Sequence, residues 1–387
     1  MKLRPAIGIR TLARLCSVVA ALCAGLAEAS PGFPLLKSYS TIDVGANVNA
    51  WSSLQDRDGT LYFGANSLVT FDGERWRSFP IGNSYALRGM AMATDEKKLW
   101  AGAVGELGWF QRDGNNWIYH SLVSKVPGGL AAVGEIWRVM ATDEGAVFIS
   151  DERVFRWNGQ AFESWEFSDS RRLSAFRINA AVYFQHWPTG LYRLDASGPT
   201  LVASVKTLGV NAIFAIRPDN PEWTLVTNQG FMRLRDGQAR FVPGAATDYL
   251  RNHPTTTAVV LPDGRIATGS LDDGLRLWSA NLEQIATYAA REGVNAAQVA
   301  PLLVDRTGAL WAAANAAIFR IALDSPSTLF DARAGIPAQP VHAILRHEDR
   351  LLAATADGLR ALSPSIRQFE QVPWAPEVVR DLRLVGG

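Results

Sequence analysis

The chain has 387 residues, 48% of them apolar and 19% charged, which is enough for one large domain or two ordinary ones and too hydrophobic for a disordered chain. Its 38 basic and 37 acidic residues leave a formal charge of +1, which excludes both the basic footprint of a nucleic-acid-binding protein and the acidic bias of a solvating tail. Glycine at 33 and tryptophan at 13 point to many turns and aromatic-rich strands.

The N-terminus reads as an address. Lys2, Arg4, Arg10 and Arg14 precede an apolar run from Leu15 to Leu26, and Ala27-Glu28-Ala29 puts small residues where a signal peptidase reads. Residues 1–29 are therefore expected to be a cleaved signal peptide that delivers the chain to the periplasm, since the apolar run is too short for a stable membrane anchor. Cys16 and Cys23 are the only cysteines and both lie inside this segment, so thiol catalysis, zinc thiolate sites and iron–sulfur clusters are excluded for the mature chain, residues 30–387. Cleavage removes four basic residues and one acidic, leaving 34 against 36. The most apolar later stretch, Ala309 to Leu323, is interrupted by Asn315 and Arg320, so no membrane span is expected there.

Leu36-Lys37-Ser38-Tyr39 looks like an orphan fourth strand, able to complete the last unit of a ring and act as its clasp. Repeats follow. The first has Leu54 to Gly59, then Leu61-Tyr62, then Ser67 to Gly73; the second starts near Met90 and the third near Val139. Two weaker copies begin at Phe176 and Phe214, and stronger ones at Val259 and Val304, the latter reading Asp305-Arg306-Thr307-Gly308-Ala309-Leu310-Trp311. An eighth begins at Val341. Each has an alternating apolar segment, a polar turn with Asp and Gly, two further strands, an Asp-Gly or Asn-Gly turn (Asp72-Gly73, Asp113-Gly114, Asn158-Gly159, Asp236-Gly237) and an aromatic fourth strand such as Trp76-Arg77-Ser78-Phe79. Four antiparallel strands every ~40–45 residues is the period of a β-propeller blade. The expected fold is therefore an all-β propeller of four-stranded antiparallel blades over residues 30–387. Val378 to Gly387 resembles the start of the eighth repeat, so a ninth repeat is expected to begin there and to be cut short at its first turn.

The pattern of apolar strand, D-x-x-G-x-L-W, small residues and apolar-Phe-Arg, most complete at Asp305 to Trp311, resembles the two-component regulator propeller repeat. Tyr39 to Val48 is similar to the linker between those repeats. The resemblance covers about residues 35–387 and implies an extracytoplasmic sensor region of a hybrid histidine kinase or diguanylate cyclase. It implies seven blades, with the eighth repeat opening a second propeller, whereas the bare repeat count allows eight. The immunoglobulin-like domain, membrane helix and kinase or cyclase that follow such propellers have no counterpart in this sequence. The chain is thus expected to be a C-terminally truncated member without enzymatic activity of that kind, and any dimer is expected to form through the C-terminal regions beyond it.

In propellers the loops between the fourth and first strands and between the second and third strands share one face. On that face the sequence places Tyr85, Arg88, Glu106, Trp109, Trp137 and Arg138. It adds His186, Trp187, Asn228, Asp272, Asp273 and Asn315, with Tyr249 and His253 beside them. Aromatic platforms with Arg, Asp and Asn suit a small molecule or an oligosaccharide, held by stacking and charge-assisted hydrogen bonds. No catalytic set, metal site or cofactor is expected: the sequence has no G-x-S-x-G elbow, phosphate loop or H-E-x-x-H. The expected function is a ligand-binding sensor module. A secreted polysaccharide lyase or glycosidase would instead need two carboxylates, or a Tyr–His–Arg set, converging on the ring axis, and a scaffold or adhesion propeller would need neither.

Overall fold

The computed structural model describes residues 32–384 except 83, 85, 169–173, 295–297, 315, 316, 349 and 364–367. The signal segment, its two cysteines, Tyr85 and Asn315 lie outside the described residues. These residues form eight four-stranded antiparallel sheets, divided between two compact units, residues 35–324 and a second unit that contains residues 325–387. The span expected as one propeller is thus two units, described in turn.

The larger unit holds seven sheets, here blades 1 to 7. The innermost strands are Ser52–Gln55, Leu87–Met92, Arg138–Ala141, Ser174–Ile178, Ile213–Pro218, Thr255–Val260 and Val299–Val304. Each contacts the next and the seventh contacts the first, so the ring is closed. Blade 7 has only three strands from its own repeat. Its fourth is Leu36–Ser40 from the start of the unit, paired antiparallel to Ala317–Ile321 with Leu36 opposite Ile321 and Ser40 opposite Ala317. This is the clasp expected from Leu36 to Tyr39, and it closes the seventh repeat rather than the eighth.

The strand pattern follows from burial on two faces. Leu61–Gly64, Leu68–Phe71 and Ala146–Ile149 are buried at every position because another blade covers each side. Fourth strands lie at the rim, so Phe162–Glu166 buries Phe162 and exposes Glu163 and Ser164. The core is a series of layers between blades. Between blades 2 and 3 it comprises Trp100, Leu107, Val139, Phe148, Phe155 and Trp157. The four Asp-Gly or Asn-Gly pairs join third to fourth strands, and Gly73 and Gly159 adopt φ of 103° and 92°, which only glycine reaches without strain.

The aspartate of D-x-x-G-x-L-W does more than start a turn. Asp305 is buried and accepts from the backbone of Thr307 and Ala309, from Thr307 Oγ1 and, six residues on, from Trp311 Nε1 at 2.7 Å. Asp56 repeats the arrangement, accepting from Thr60 N at 2.8 Å and Tyr62 Oη at 2.7 Å. The motif therefore ties the first turn to the ring in the middle of the second strand. Burial pushes the Asp305 carboxyl up, but hydrogen bonds from Thr307, Trp311 and Ala309 outweigh it and hold the group below the usual carboxylate range. Asp219 behaves alike: burial raises it, and Arg217, Thr224 and Arg233 bring it below that range. A depressed folded-state value contributes stability above the unfolded value of ~3.9, lost as pH falls through the folded value. Unfolding free energy is thus expected to hold from pH 7 to about 5 with respect to these groups and to fall below about 4. Denaturant titrations from pH 7 to 3 check this, and Asp305→Asn should flatten the acid limb.

The second unit holds the eighth sheet, Val341–His347, Arg350–Thr355, Gly358–Ser363 and Gln368–Gln371, with a small core of Ile336, Ala353, Leu362 and Phe369. Its first strand is mostly exposed, with Ile344 at 68%. Residues 378–384, expected as the first strand of a ninth repeat, form no strand.

Candidate functional site at the mouth of the ring

Irregularities in the innermost strands set which side chains enter the ring. In blade 2 Leu87 pairs with Ala103 and Gly89 with Gly102, so Arg88 is left over. The same bulge leaves over Phe214 in blade 5 and Thr256 in blade 6. An extra residue in one strand re-aims its side chain, and bulges gather beside functional sites for that reason. Trp51 and Trp137 hold the corresponding place in blades 1 and 3, each just before its strand and fixed by a backbone bond, to Gly64 O and Ile149 O at 2.8 Å. Gly89 allows blades 2 and 3 to meet closely: a Cβ there would lie 2.9 Å from the Arg138 carbonyl carbon.

Blades 3 to 6 enclose a cavity of about 360 Å³ at this mouth. Arg138, Phe176, Phe214 and Thr256 reach it from the innermost strands, Gln185 from the second strand of blade 4 and Trp187 from the turn that follows that strand. Trp187 is 38% exposed. Its turn is held by the neighbouring His186, which is buried. A carbonyl can only accept, so His186 Nε2 donates to Ser168 O at 3.2 Å; Nδ1 is hydrogen-bonded to Thr189 Oγ1 at 2.7 Å, and Thr189 accepts from Tyr192 Oη at 2.8 Å. Gln185 is 3% exposed and its Oε1 accepts from Ile213 N at 2.7 Å, which fixes the orientation of the amide. Its Nε2 is buried and has no hydrogen-bond partner among the described residues. An unpaired buried donor costs about 1–3 kcal/mol.

Beside this cavity, Arg88 lies between two indoles. Its guanidinium carbon is 4.9 Å from the Trp51 ring centre and 4.0 Å from that of Trp137, and Nη2 lies 3.3 Å from Glu135 Oε2. Arg138 donates Nη1 to Trp137 O at 2.9 Å, linking stack and cavity.

The other expected site residues fall elsewhere. Glu106 is buried in blade 2 and accepts from Ser121 Oγ at 2.5 Å and Tyr119 Oη at 3.1 Å; burial and the Glu106 charge together push the Tyr119 hydroxyl far up. Trp109 is in mid-strand, edge-on to Trp100 and stacked on His120, so it packs the blade and is not part of a loop. Asn228 locks backbone, its Oδ1 accepting from Ala212 N at 3.1 Å. Asp272 and Asp273 meet the helix Ala245–Asn252: Tyr249 Oη donates to Asp273 at 2.9 Å, Arg276 pairs with Asp273, and His253 Nδ1 lies 3.4 Å from Asp272. This is a Tyr–His–Arg set, but none of its members lines the cavity, and burial followed by the Asp273 hydrogen bond pushes Tyr249 up to about 12, away from service as a base. Of the expected residues, the cavity gathers Arg138 and Trp187, and the stack Arg88 and Trp137. Sequence reasoning missed Gln185, Phe176, Phe214, Thr256 and Trp51. Aligning each repeat on Trp137 would have found Trp51, Phe214 and Thr256; nothing in the sequence marks Gln185.

No family model and no curated protein matches the sequence. Among solved structures, the chain is similar to the extracellular domain of the putative hybrid two-component system BT3049 from B. thetaiotaomicron, at 14% identity and a TM-score of 0.65 over 88% of this chain. It is similar also to the extracellular domain of the putative hybrid two-component system BT4673 from the same organism, at 12% identity and 0.60 over 88%. The WD40 β-propeller domain of Doa1 aligns at 10% identity and 0.56 over 76%. The chain spans about half the length of the two extracellular domains, 49% and 53%. Across most of its length, this chain therefore has the multi-blade β-propeller fold found in the extracellular domains of these two-component systems.

Proposed function

We propose that the chain is the ligand-binding sensor module of an extracytoplasmic signalling receptor, and that it binds a small molecule or oligosaccharide fragment in the cavity at the mouth of the ring. The observation that carries this reading is the cavity itself: four blades converge on it, and the aromatic side chains of Phe176, Phe214 and Trp187 line it beside Gln185. A volume of about 360 Å³ is at the scale of a ligand of one or two rings. The likeness in fold to extracellular domains of two-component systems supports a sensing role, and the signal-like N-terminus supports a periplasmic location. Signalling requires that the ligand bind two arrangements of the receptor with different affinity.

Thermal-shift screening of the full mature chain against mono- and oligosaccharides and small organic acids tests this. A hit is expected to lose about tenfold or more in affinity with Trp187→Ala, since a stacked aromatic anchor contributes at this level, while the melting temperature of the unliganded variant stays within a few degrees. Trp109→Ala is the contrasting control, expected to lower the melting temperature and leave affinity in place. Binding that survives Trp187→Ala and follows Trp109 instead would move the site away from the ring mouth.

A further inference from the structure

A second cavity, of about 300 Å³, opens between blades 3 and 4 on the face opposite the mouth. Its origin lies in the repeat. In blade 7 the residue after the motif aspartate, Arg306, reaches the next blade: its backbone N–H donates to Gln55 Oε1 at 2.9 Å and its guanidinium to Arg57 O. Arg57 holds the same place in blade 1 and reaches blade 2, its backbone N–H donating to Glu96 Oε1 at 3.2 Å and its Nη2 to Thr94 O at 3.2 Å. Aligned on the turn glycine (Gly59, Gly308 and Gly145), blade 3 puts Asp143 in that place and Glu144 after it. Blade 4 has no such turn to meet them, since only Asn179 and Ala180 join its first two strands. Both acids are exposed, line the cavity, and have carboxylates without a hydrogen bond or ion pair among the described residues.

The wall facing them carries the opposite sign. Arg177, in the first strand of blade 4, donates Nη1 to Ala141 O at 2.8 Å and Nε to Asn179 O at 3.3 Å and has no carboxylate partner among the described residues. The other charges lining the cavity are matched: Arg156 pairs with Glu163, and Arg193 holds Asp195 at 2.6 Å. Val147 and Val182, both buried, and Leu194 add apolar surface. Two unpaired acids beside one arginine draw a cation or a zwitterion, and a guanidinium with N–H groups to spare suits a carboxylate. The volume is at the lower end of the range for small-molecule pockets.

We propose that this cleft binds an aliphatic α-amino acid. The ammonium lies toward the Asp143–Glu144 turn, the carboxylate faces Arg177, and the side chain covers Val147, Val182 and Leu194. The ligand spans the seam that Arg57 and Arg306 span elsewhere in the ring. The assignment is independent of the mouth cavity.

Calorimetric titration of the full mature chain at pH 7 tests this with L-leucine, with leucinamide, which lacks the carboxylate, and with 4-methylpentanoate, which lacks the ammonium. Leucine is expected to bind at least about tenfold more tightly than either, with its affinity unchanged by Trp187→Ala. Asp143→Asn together with Glu144→Gln is expected to cost leucine and leucinamide about tenfold or more, and Arg177→Gln to cost leucine as much while sparing leucinamide. The two acids are exposed and unpaired, so replacing them is expected to keep the melting temperature within a few degrees. Should Arg177→Gln melt early, the leucine–leucinamide ratio of the unaltered protein decides for the carboxylate. Leucinamide binding as tightly as leucine overturns the amino-acid assignment in favour of a simple amine. Leucine binding that survives the double replacement overturns the cleft as its site, and binding lost in Trp187→Ala moves the amino acid to the mouth. No binding at millimolar leucine overturns the proposal and leaves the reading of the mouth cavity as it stands.

Discussion

Tyr39→Ala is expected to lower the unfolding free energy of the ring by about 3–5 kcal/mol, the range for deleting a buried aromatic side chain. Tyr39 is 7% exposed and lies in the clasp strand Leu36–Ser40. Its ring stacks on Trp311 at 5.8 Å and meets Phe71 at 5.5 Å and Trp76 at 5.3 Å, so one side chain joins blade 7 to blade 1 at the seam where strands distant in sequence share a blade. Truncation loses the transfer energy of the ring and opens a cavity among three aromatics that cannot collapse independently. Deletion of residues 35–40 is expected to go further, leaving Ala317–Ile321 as an unpaired edge and the ring without its closure, with aggregation in place of a cooperative transition. Denaturant unfolding followed by tryptophan fluorescence measures both. Ser38→Ala, an exposed change on the same strand, is the control and should stay within about 0.5 kcal/mol. A loss below about 1 kcal/mol for Tyr39→Ala would show that the strand is not the closure.

Asp305→Ala is expected to cost about 3 kcal/mol. Four donors converge on this carboxylate, and two of them, Trp311 Nε1 and Ala309 N, are in buried residues with no solvent to turn to. Each buried donor left unpaired costs about 1–3 kcal/mol, and the charge assists every bond that is lost. Asp305→Asn keeps an acceptor for the backbone but can turn an amide donor toward an indole donor, so it should recover only part of the loss. Asp56→Ala in blade 1 should behave in the same direction through Tyr62, whose hydroxyl is pushed up by burial and by the Asp56 hydrogen bond. If Asp305→Ala unfolds within 1 kcal/mol of the unaltered chain, the motif is a turn signal and nothing more.

The fold was legible because its determinants are local and repeated. Alternating strands, Asp-Gly turns and a period near 40 residues each reported on a single blade, and the clasp was visible because Leu36 to Tyr39 reads as a fourth strand without its first three. What the period did not show was where the ring ends. The eighth repeat has the same grammar as the other seven, but ring closure depends on the strand at the start of the unit pairing with Ala317–Ile321, 280 or so residues away, and no local pattern carries that. The site was half legible for a related reason. Trp187 and Arg138 stand out as an aromatic and a charge near a turn, whereas Trp109 stands out equally and proves to be blade packing. Gln185 is inconspicuous in sequence; a backbone donor in the next blade takes one end of its amide, and the other end has no partner among the described residues. The enzyme alternative turned on convergence, and the Tyr–His–Arg set found among the described residues is assembled beside the helix Ala245–Asn252, where Tyr249 and Arg276 are held by Asp273 and His253 lies against Asp272.

The central claim is that ligand enters the mouth of the ring between blades 3 and 6. The most direct test is a crystal structure of the mature chain with the tightest ligand from the screen. The predicted result is ligand density against Trp187 and Phe214; a well-occupied ligand bound at any other surface, with this cavity unchanged, would contradict it.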